Sequence, residues 1–470
     1  MLVKTRFAPS PTGELHFGNI RTALYSWLYA RKNNGVFLLR IEDTDLIRSK
    51  SIFSKKIMKT LKWLKLDWDE GPYFQSQRIN HYKNIILEML KKKIAYKCYC
   101  GHEKLNLIKK NKILKGEKPR YDGTCRNLNK DFNSLNKYVV RFKNPSYGKV
   151  SFVDLVRGKI VFNNNELDDL IIQRENGIPT YNFCVVIDDM ESKITHIIRG
   201  EDHINNTPRQ INILNSLGSK LPSYAHLSMI VDSHRKTLSK RNNSVNVLEY
   251  KKLGFFPESI LNYIVRLGWS HKNKEIFNIS EMIKLFNFNS ITKSPSIFDK
   301  KKLLRLNKYY LNINSLKKNK KILISLFKKN NIDFKKGPEL KKIIKTFSPH
   351  CSTIFELFNS ILFFFKNNKI KFNKKYVKTY LNKKSIYILK KLYIILINLK
   401  TWNSKDILKS IKNLSISLCI KLREIILPVR IALLGTIHSL SINKILFFMG
   451  KKKSLLKLKK FLKYIIKIFI

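Results

Sequence analysis

Apolar and polar positions divide the first part of the chain into short strands and helices. Residues 2–8, LVKTRFA, form an apolar run that predicts a buried strand, and the turn-rich sequence PSPTG follows it. Apolar residues then recur at helical spacing in IRTALYSWLYARKN, and VFLLRIEDTD predicts a second buried strand that ends in acidic residues. Strand, glycine turn, helix and strand in this order are typical of the opening of a nucleotide-binding α/β fold.

The pattern changes twice further along the chain. Residues from about 86 to 195 carry short mixed strands and closely spaced cysteines, and we interpret them as an insertion. ITHIIRGEDHI and LSMIVD then predict two more strands, the second just before a loop that contains KTLSKR. Beyond about residue 310, segments such as SIYILKKLYIILINLK and KDILKSIKNLSISLCIKLREIIL have helical periodicity with little strand alternation, which predicts an all-helical C-terminal region.

Length and charge refine this picture. A chain of 470 residues is expected to form about two to four domains. Its 92 Lys and Arg residues against 33 Asp and Glu residues give a formal net charge of +59, which favours a polyanionic partner because neutralised phosphates release counterions. Lys, Asn and Ile are also frequent where no contact is predicted, as an AT-biased genome produces. Charge therefore permits nucleic-acid binding without proving it.

The termini and the cysteines bear on the cellular compartment. Six cysteines are few for this length, which argues against a disulfide-stapled secreted protein. The N-terminus has no apolar signal core, and no stretch is apolar enough to span a membrane. The last residues, KKKSLLKLKKFLKYIIKIFI, are basic and amphipathic; we expect them to pack on their own domain rather than lie on a membrane surface. These features predict a cytoplasmic protein.

Two motifs carry candidate chemistry. In PSPTGELHFGN, residues 9–19, glycines permit close approach to a ligand and the following helix start offers N–H groups to phosphate. His16 and Asn19 add donors there, although a lone histidine is more often packed or solvated. In KTLSKR, residues 236–241, a basic loop suits a triphosphate whose charge moves toward pyrophosphate during reaction, but basic loops are frequent in this chain.

Together, these motifs resemble the signature pair of class I aminoacyl-tRNA synthetases. TRFAPSPTGELHFGNIRTAL, LLRIEDTD, ELDDLIIQRENGIPTYNFCVVIDD, ITHIIRGEDHINNTPRQINIL and LNYIVRLGWSH resemble, in order, the bacterial-type glutamyl-tRNA synthetase family. The resemblance is dense to about residue 310 and continues more thinly to LPVRIALLG. It implies a Rossmann-type catalytic domain with an α+β acceptor-binding insertion, followed by an all-helical anticodon-binding region.

The resemblance also implies domain boundaries and partners. We expect a monomer that joins glutamate to the 3′-terminal ribose of tRNA(Glu), using ATP with Mg²⁺ and no side-chain nucleophile. The predicted divisions are the first catalytic half at 1–85, the acceptor-stem-binding insertion at 86–195, the second catalytic half at 196–240, a stem-contact region at 241–310 and the anticodon-binding region at 311–470.

Glutamate presents one ammonium and two carboxylates, and arginine suits carboxylates because its planar fork binds both oxygens. By motif position, Arg6 and Arg199 resemble the substrate-binding arginines of the family. Ser10 and Tyr181 would supply hydroxyls, and Glu42 would meet the ammonium.

Other matched positions imply contacts with ATP. The residues assigned to catalysis are His16, Asn19 and Lys240, and those assigned to ATP binding are His16, Gly18, Asn19, Asp202, His203, Ser239, Lys240 and Arg241. Glu201 lies in the same matched segment, where the family contacts the nucleotide or ribose.

Two departures from the family pattern stand out. The second motif often begins with lysine, whereas Thr237 occupies that position here and Lys236 precedes it. The cysteines resemble a zinc knob whose ligands would be Cys98, Cys100 and Cys125, but its fourth position, often histidine, is Asn127, a poor zinc ligand. His102, Tyr121 or water would then complete a Zn²⁺ site; a vestigial site of reduced cysteines is the alternative.

Three other protein classes share parts of this pattern. A truncated relative that glutamylates a modified tRNA base lacks the roughly 160 helical residues that follow the catalytic part here. Glutaminyl-tRNA synthetase has β-barrels in that region, which the helical pattern does not fit. A non-catalytic RNA-binding descendant would not need Lys240, His16 and Glu42, all of which are present. The sequence does not decide whether tRNA(Gln) is also charged.

Overall fold

The structure is a computed structural model that describes residues 2–45, 47–117, 119–128, 137–237, 246–366, 374–437 and 440–469. The chain forms two compact units. Unit 1 comprises Met1–Lys252 and Pro257–Leu303, and unit 2 comprises Leu253–Phe256 and Leu304–Ile470. The finer five-part division expected from the sequence stays a prediction.

Unit 1 is an α/β structure. Its strands are β1 Lys4–Phe7, β2 Val36–Ile41, β3 Glu70–Phe74, β4 Ala95–Cys98, β5 Val139–Phe142, β6 Lys149–Asp154, β7 Gly158–Asn163, β8 Ile171–Gln173, β9 His196–Gly200, β10 Ser223–Leu227, β11 Ile230–Val231 and β12 Ser296–Ile297. Its helices are α1 Phe17–Lys32, α2 Ser51–Leu64, α3 Ile79–Lys91, α4 His102–Leu114, α5 Tyr181–Glu191, α6 Thr207–Ser216, α7 Val247–Lys252, α8 Pro257–Val265 and α9 Ile279–Leu285.

Seven strands form the main sheet in the order β3-β2-β1-β9-β10-β6-β7. All neighbours pair in parallel except β6 and β7, so β7 is an antiparallel edge strand. Strand order reverses between β1 and β9. In an open α/β sheet such a reversal leaves a crevice beyond the carboxyl ends of the strands, where ligands bind.

Two features of unit 1 do not follow from the sequence pattern. Strands β6 and β7 lie within the segment interpreted as an insertion, yet β6 pairs with β10 of the main sheet. Only β4, β5 and β8 form a separate small sheet. In the run LSMIVD, residues 227–232, Leu227 ends β10 of the main sheet, which comprises SYAHL, and Ile230 and Val231 form β11, which pairs with β12. Each apolar run is short enough to serve as a buried strand, so pairing partners decide between them.

Unit 2 is helical throughout the part that the structure describes. Helix α10 Lys300–Ile313 runs across the division between the units, and the helices that follow are α11 Leu316–Lys329, α12 Leu340–Phe347, α13 Ile354–Ile361, α14 Lys374–Tyr380, α15 Lys383–Ile397, α16 Ser404–Ser417, α17 Leu422–Leu434, α18 Ile442–Met449 and α19 Lys451–Phe469. Their apolar faces share one core, in which the Phe327 ring lies 5.0 Å from Phe358 and 4.7 Å from Phe365.

The basic C-terminal segment contributes to this core. Leu458, Phe461 and Ile465 of α19 are buried against the helices of unit 2, as expected for a helix packed on its own domain. Lysines occupy most of the exposed positions of that helix, together with Leu456 and Ile468. Among the helices that the structure describes, none is long and apolar enough to cross a bilayer.

Candidate active site

A cavity of about 590 Å³ lies at the carboxyl ends of β1, β2, β9 and β10. Residues that directly follow these strands or close them form its wall, together with the start of α1. Ten of the predicted site residues line it: Arg6, Ser10, His16, Gly18, Asn19, Glu42, Tyr181, Arg199, Asp202 and His203. Segments nearly 200 positions apart in the sequence therefore meet around one crevice.

The start of α1 is built to present hydrogen-bond donors. His16 is the residue that caps the helix, and its Nδ1 accepts the backbone N–H groups of Gly18 at 3.1 Å and Asn19 at 3.4 Å. The Asn19 Oδ1 in turn accepts the His16 N–H at 3.2 Å. Because Nδ1 is an acceptor, the proton of the neutral imidazole lies on Nε2, which makes that atom a donor.

Gly18 permits this cap. A Cβ atom at that position would lie 3.0 Å from His16 Cε1 and 3.1 Å from Nδ1, so a larger residue would displace the imidazole. The arrangement supplies an imidazole donor, an amide side chain and the positive end of a helix dipole to the cavity. These groups together suit the phosphates of a nucleotide.

A buried network of charges supports Arg6 and Glu42. The Arg6 Nε donates to the two oxygens of Asp189 at 3.1 and 3.2 Å. Arg40, which is almost fully buried, contacts Asp189 at 2.8 Å and Glu42 at 3.5 Å. Burial would raise the pKa of Asp189, but Arg40 and Arg6 more than offset this and hold that pKa below its ordinary value.

Glu42 is the least satisfied acid of this network. Its Oε1 has no hydrogen-bond partner among the described residues, although the side chain is only 5% exposed. Burial raises the pKa of Glu42 to about 7 despite the attraction of Arg40 and Arg6. A ligand cation would therefore be stabilised at this carboxylate more than at an exposed one.

Arg199 is a buried cation without an ion-pair partner among the described residues. Its Nε donates to His226 Nε2 at 3.2 Å, and its Nη2 donates to Thr207 Oγ1 at 2.7 Å. The third nitrogen, Nη1, is buried and has no hydrogen-bond partner within the described part of the chain. Burial lowers the pKa of Arg199. An arginine in this state is ready to bind an anion such as a carboxylate.

The remaining wall residues are less enclosed. The Tyr181 ring lies 6.2 Å from that of His203, and burial raises the pKa of the tyrosine. Ser10 and Asp202 are exposed, and the Asp202 carboxylate lies 3.6 Å from His203 Nε2. Glu201 does not line the cavity; it forms an ion pair with Arg157 and accepts the Met229 N–H at 2.8 Å, so its contacts are structural.

Only the start of the second motif belongs to the described residues. Thr237 lines the cavity, and it is brought there by a bridge to Val231 of β11. The predicted ATP-binding residues Ser239, Lys240 and Arg241 lie outside the described residues. The beginning of KTLSKR thus shares one crevice with HFGN.

The three cysteines form a compact cluster beside β4. Their sulfur atoms lie within 4.8 Å of one another, and Cys100 Sγ is 3.5 Å from Cys125 Sγ. The Tyr121 hydroxyl lies 3.3 Å from Cys98 Sγ and 3.7 Å from Cys100 Sγ. Tetrahedral Zn²⁺ bound at 2.3 Å needs sulfur atoms roughly 3.8 Å apart, so the cluster fits this ion. Asn127, the predicted fourth position, is exposed, whereas Cys98 and Cys125 are buried.

Comparison with known proteins identifies the family. The family described as tRNA synthetases class I (E and Q), catalytic domain, matches residues 2–305, and the anticodon binding domain family matches residues 292–462. The glutamate–tRNA ligase of Buchnera aphidicola subsp. Acyrthosiphon pisum is 53% identical over 465 residues, which cover 99% of each chain. This chain belongs to the glutamyl-tRNA synthetase family.

Further relatives agree with this assignment. The glutamate–tRNA ligase of Wigglesworthia glossinidia brevipalpis is 50% identical over 468 residues, covering 99% of this chain and 98% of the relative. A crystal structure of the glutamate tRNA ligase of Elizabethkingia meningosepticum, in complex with its amino acid, superimposes with a TM-score of 0.84 at 29% identity, covering 98% of this chain and 99% of that one. The family, fold class and enzyme class predicted from the sequence are confirmed.

Three members of the buried charge network are not among the site residues that the sequence predicts. Arg40, Asp188 and Asp189 all lie in quoted motifs, and the structure joins them behind Arg6 and Glu42. The signal was present: a charged residue inside the apolar strand VFLLRI needs a buried acid, and two acids end the apolar run YNFCVVIDD. Pairing them requires knowing that α5 faces β2.

Proposed function

We propose that this chain activates glutamate with ATP and transfers the glutamyl group to the 3′-terminal ribose of tRNA(Glu). The α-carboxylate of glutamate attacks the α-phosphate of ATP, which gives glutamyl-adenylate and releases pyrophosphate. A hydroxyl of the terminal ribose then attacks the carbonyl carbon, and AMP leaves. Both steps need positioning and charge stabilisation rather than a side-chain nucleophile.

One observation carries this proposal: a single cavity unites an unpaired buried arginine, an under-satisfied buried carboxylate and a donor-rich helix start. Arg6 and Arg199 would bind the two carboxylates of glutamate. Glu42 would meet the ammonium, and Ser10 and Tyr181 would donate hydroxyl hydrogen bonds. A dicarboxylic amino acid suits this wall better than its amide because two guanidinium groups face it.

The nucleotide would occupy the part of the cavity next to α1. His16, Gly18 and Asn19 would contact the phosphates, while Asp202 and His203 would contact the ribose or base. Mg²⁺ would accompany the triphosphate and neutralise part of its charge. Ser239, Lys240 and Arg241 would contact the triphosphate and the leaving pyrophosphate, as the family resemblance implies. Thr237, three positions before Lys240, supports this because it lines the same cavity.

The helical unit 2 would bind the anticodon arm, as the matched anticodon-binding family supports. The net charge of +59 would strengthen binding to the tRNA backbone. We expect a cytoplasmic monomer. Zn²⁺ held by Cys98, Cys100 and Cys125, with the Tyr121 oxygen beside them, would stabilise the fold around β4 and would take no part in the reaction.

Aminoacylation with purified components tests the proposal. The chain should charge tRNA(Glu) with glutamate, and Lys240→Ala should abolish tRNA-dependent ATP–pyrophosphate exchange with folding intact, because the ammonium that stabilises the leaving pyrophosphate is lost. Lys55→Ala, at an exposed lysine of α2, is the matched control and should retain exchange. Equal exchange by Lys240→Ala and the wild type would remove Lys240 from the mechanism. Charging of tRNA(Gln) in the same assay would define the tRNA specificity.

A further inference from the structure

A chain of three buried polar side chains ends at Arg199. The Asp154 Oδ2 lies 2.7 Å from His226 Nδ1, and His226 Nε2 lies 3.2 Å from Arg199 Nε. Asp154 is at the end of β6 and His226 is in the neighbouring strand β10, while Arg199 is in β9. Asp154 and His226 do not line the cavity and are almost inaccessible, so neither can contact a substrate directly.

The hydrogen bonds fix the tautomer of His226. Arg199 Nε is always a donor, so the His226 Nε2 facing it must be an unprotonated acceptor. The imidazole proton then lies on Nδ1 and is donated to Asp154. Burial and the nearby Arg199 keep the pKa of His226 below its ordinary value despite Asp154, which agrees with a neutral ring. By accepting the Nδ1 proton, Asp154 ensures that His226 presents an unprotonated Nε2 to Arg199.

These contacts orient the guanidinium. Nε is bound to His226 and Nη2 to Thr207. The Thr207 hydroxyl lies 3.1 Å from His226 Nε2 and 3.3 Å from the His203 carbonyl oxygen, either of which can accept its proton. The remaining Nη1 has no protein partner among the described residues. A planar group held at two nitrogens can rotate little, so the direction of the third is set.

We infer that Asp154 and His226 are positioning residues that hold the Arg199 guanidinium for a carboxylate of the amino acid substrate. This inference rests on the proposed function, because it takes glutamate as the ligand of Arg199. The competing explanation is that the pair only joins β6 to β10. A purely structural role would lower stability without acting on glutamate affinity in particular.

Asp154→Asn is the diagnostic change because it is isosteric. The Asp154 Oδ1 accepts the N–H groups of Val156 at 3.0 Å and Arg157 at 2.9 Å, which would hold the asparagine oxygen in that place. Its amide nitrogen would then face His226 Nδ1 and donate to it, and the backbone N–H of His226, which donates to Asp154 Oδ2 at 3.1 Å, would lose that acceptor. The imidazole proton would move to Nε2, where it opposes the Arg199 N–H.

Two substitutions at His226 distinguish the contact made by Nε2 from the contact made by Nδ1. In His226→Gln the side-chain oxygen can reach the place of Nε2 and still accept from Arg199. In His226→Asn the shorter amide can replace only Nδ1, so the contact with Asp154 survives and Arg199 loses its acceptor. The inference requires the glutamate KM and Kd of His226→Gln to lie closer to the wild-type values than those of His226→Asn.

The experiment measures KM for glutamate, ATP and tRNA(Glu) in aminoacylation, and glutamate binding by calorimetry, for these three variants and the wild type. Asp154→Asn and His226→Asn should raise the glutamate KM and Kd by about tenfold or more, as expected for loss of a buried charge-assisted contact. The KM for ATP should change by less than about twofold. Thermal unfolding checks that each variant is folded.

Three results would overturn the inference: an unchanged glutamate KM in folded Asp154→Asn, an equal rise in all KM values, or equal behaviour of the two His226 variants. Failure of the proposed function looks different. A wild-type protein that binds glutamate but does not charge tRNA would contradict the proposed reaction, while the calorimetric comparison would still decide the role of Asp154 and His226.

Discussion

Glu42→Gln should stabilise the protein while impairing glutamate binding. The side chain is buried, its Oε1 lacks a hydrogen-bond partner among the described residues, and Arg40 is 3.5 Å away. Arg40 keeps its 2.8 Å contact with Asp189 when Glu42 is replaced, so no cation loses its last acidic partner. Glutamine has nearly the same shape and removes only the charge.

The pKa gives the size of the stability effect. A carboxyl whose pKa rises from 4.5 to about 7 on folding lowers the free energy of unfolding by about 3 kcal/mol at pH values above 7. The folded state binds this proton more tightly than the unfolded state. Stability from this group is therefore complete below pH 4.5, falls as the pH rises toward 7, and is constant above that. Glu42→Gln should not show this fall in stability with rising pH, because the glutamine side chain does not ionise.

The same substitution should weaken the substrate complex. If Glu42 meets the ammonium of glutamate, removing one member of that buried pair costs about 2–5 kcal/mol, which corresponds to a rise in glutamate KM of about 30-fold or more. The KM for ATP should change little because the proposed phosphate contacts come from the start of α1. Function and stability thus move in opposite directions at one position.

Calorimetric unfolding at pH 5 and pH 8, with aminoacylation kinetics at pH 8, tests both parts. In the wild type, glutamate should raise the midpoint temperature of one unfolding transition. The midpoint temperature of that transition, measured without glutamate, should be roughly 5 °C higher in Glu42→Gln than in the wild type at pH 8, and the difference should be much smaller at pH 5. Glu70→Gln, which removes a partly exposed partner of Lys4, is the control and should change stability by less than about 1 kcal/mol. A variant less stable than the wild type at pH 8, or one with an unaltered glutamate KM, would refute the reasoning.

Three further predictions concern other parts of the chain. Cys125→Ser should lose the zinc measured by elemental analysis after growth with added Zn²⁺, whereas Cys419→Ser, at an exposed cysteine elsewhere, should retain it; zinc-free wild type would contradict the site. Phe327→Ala should destabilise unit 2 by about 3–5 kcal/mol in calorimetric unfolding, with the glutamate KM unchanged, because it leaves a cavity among packed rings. The logarithm of the tRNA binding constant, measured by filter binding, should fall linearly with the logarithm of the salt concentration. A binding constant that does not change with salt would exclude contacts with the charged tRNA backbone as the source of the affinity.

The apolar pattern and the motifs allowed much of the molecule to be predicted. Strands β1 and β2, helix α1 and the helical unit 2 follow from local periodicity, because burial of one helix face or of a whole strand leaves a repeat in the sequence. The ten cavity residues are predicted by the motif resemblance. Arg6, Glu42 and Arg199 among them lie at or next to the carboxyl ends of parallel strands, which meet at one sheet edge. Gly18 beside His16 already indicated a helix start that approaches a ligand.

Other features required the tertiary structure because they depend on which strands become neighbours. Nothing local in SYAHL or LSMIVD decides which run enters the main sheet, and nothing local pairs β6 with β10. The contact between Asp154 and His226, which are 72 positions apart, exists only through that pairing. Likewise, Arg40 meets Asp189 only when α5 packs on the sheet. Sequence determined the kinds of elements and the chemistry at their ends; long-range strand pairing decided which buried charges support that chemistry, because hydrogen-bonded partners distant in sequence leave no periodic trace.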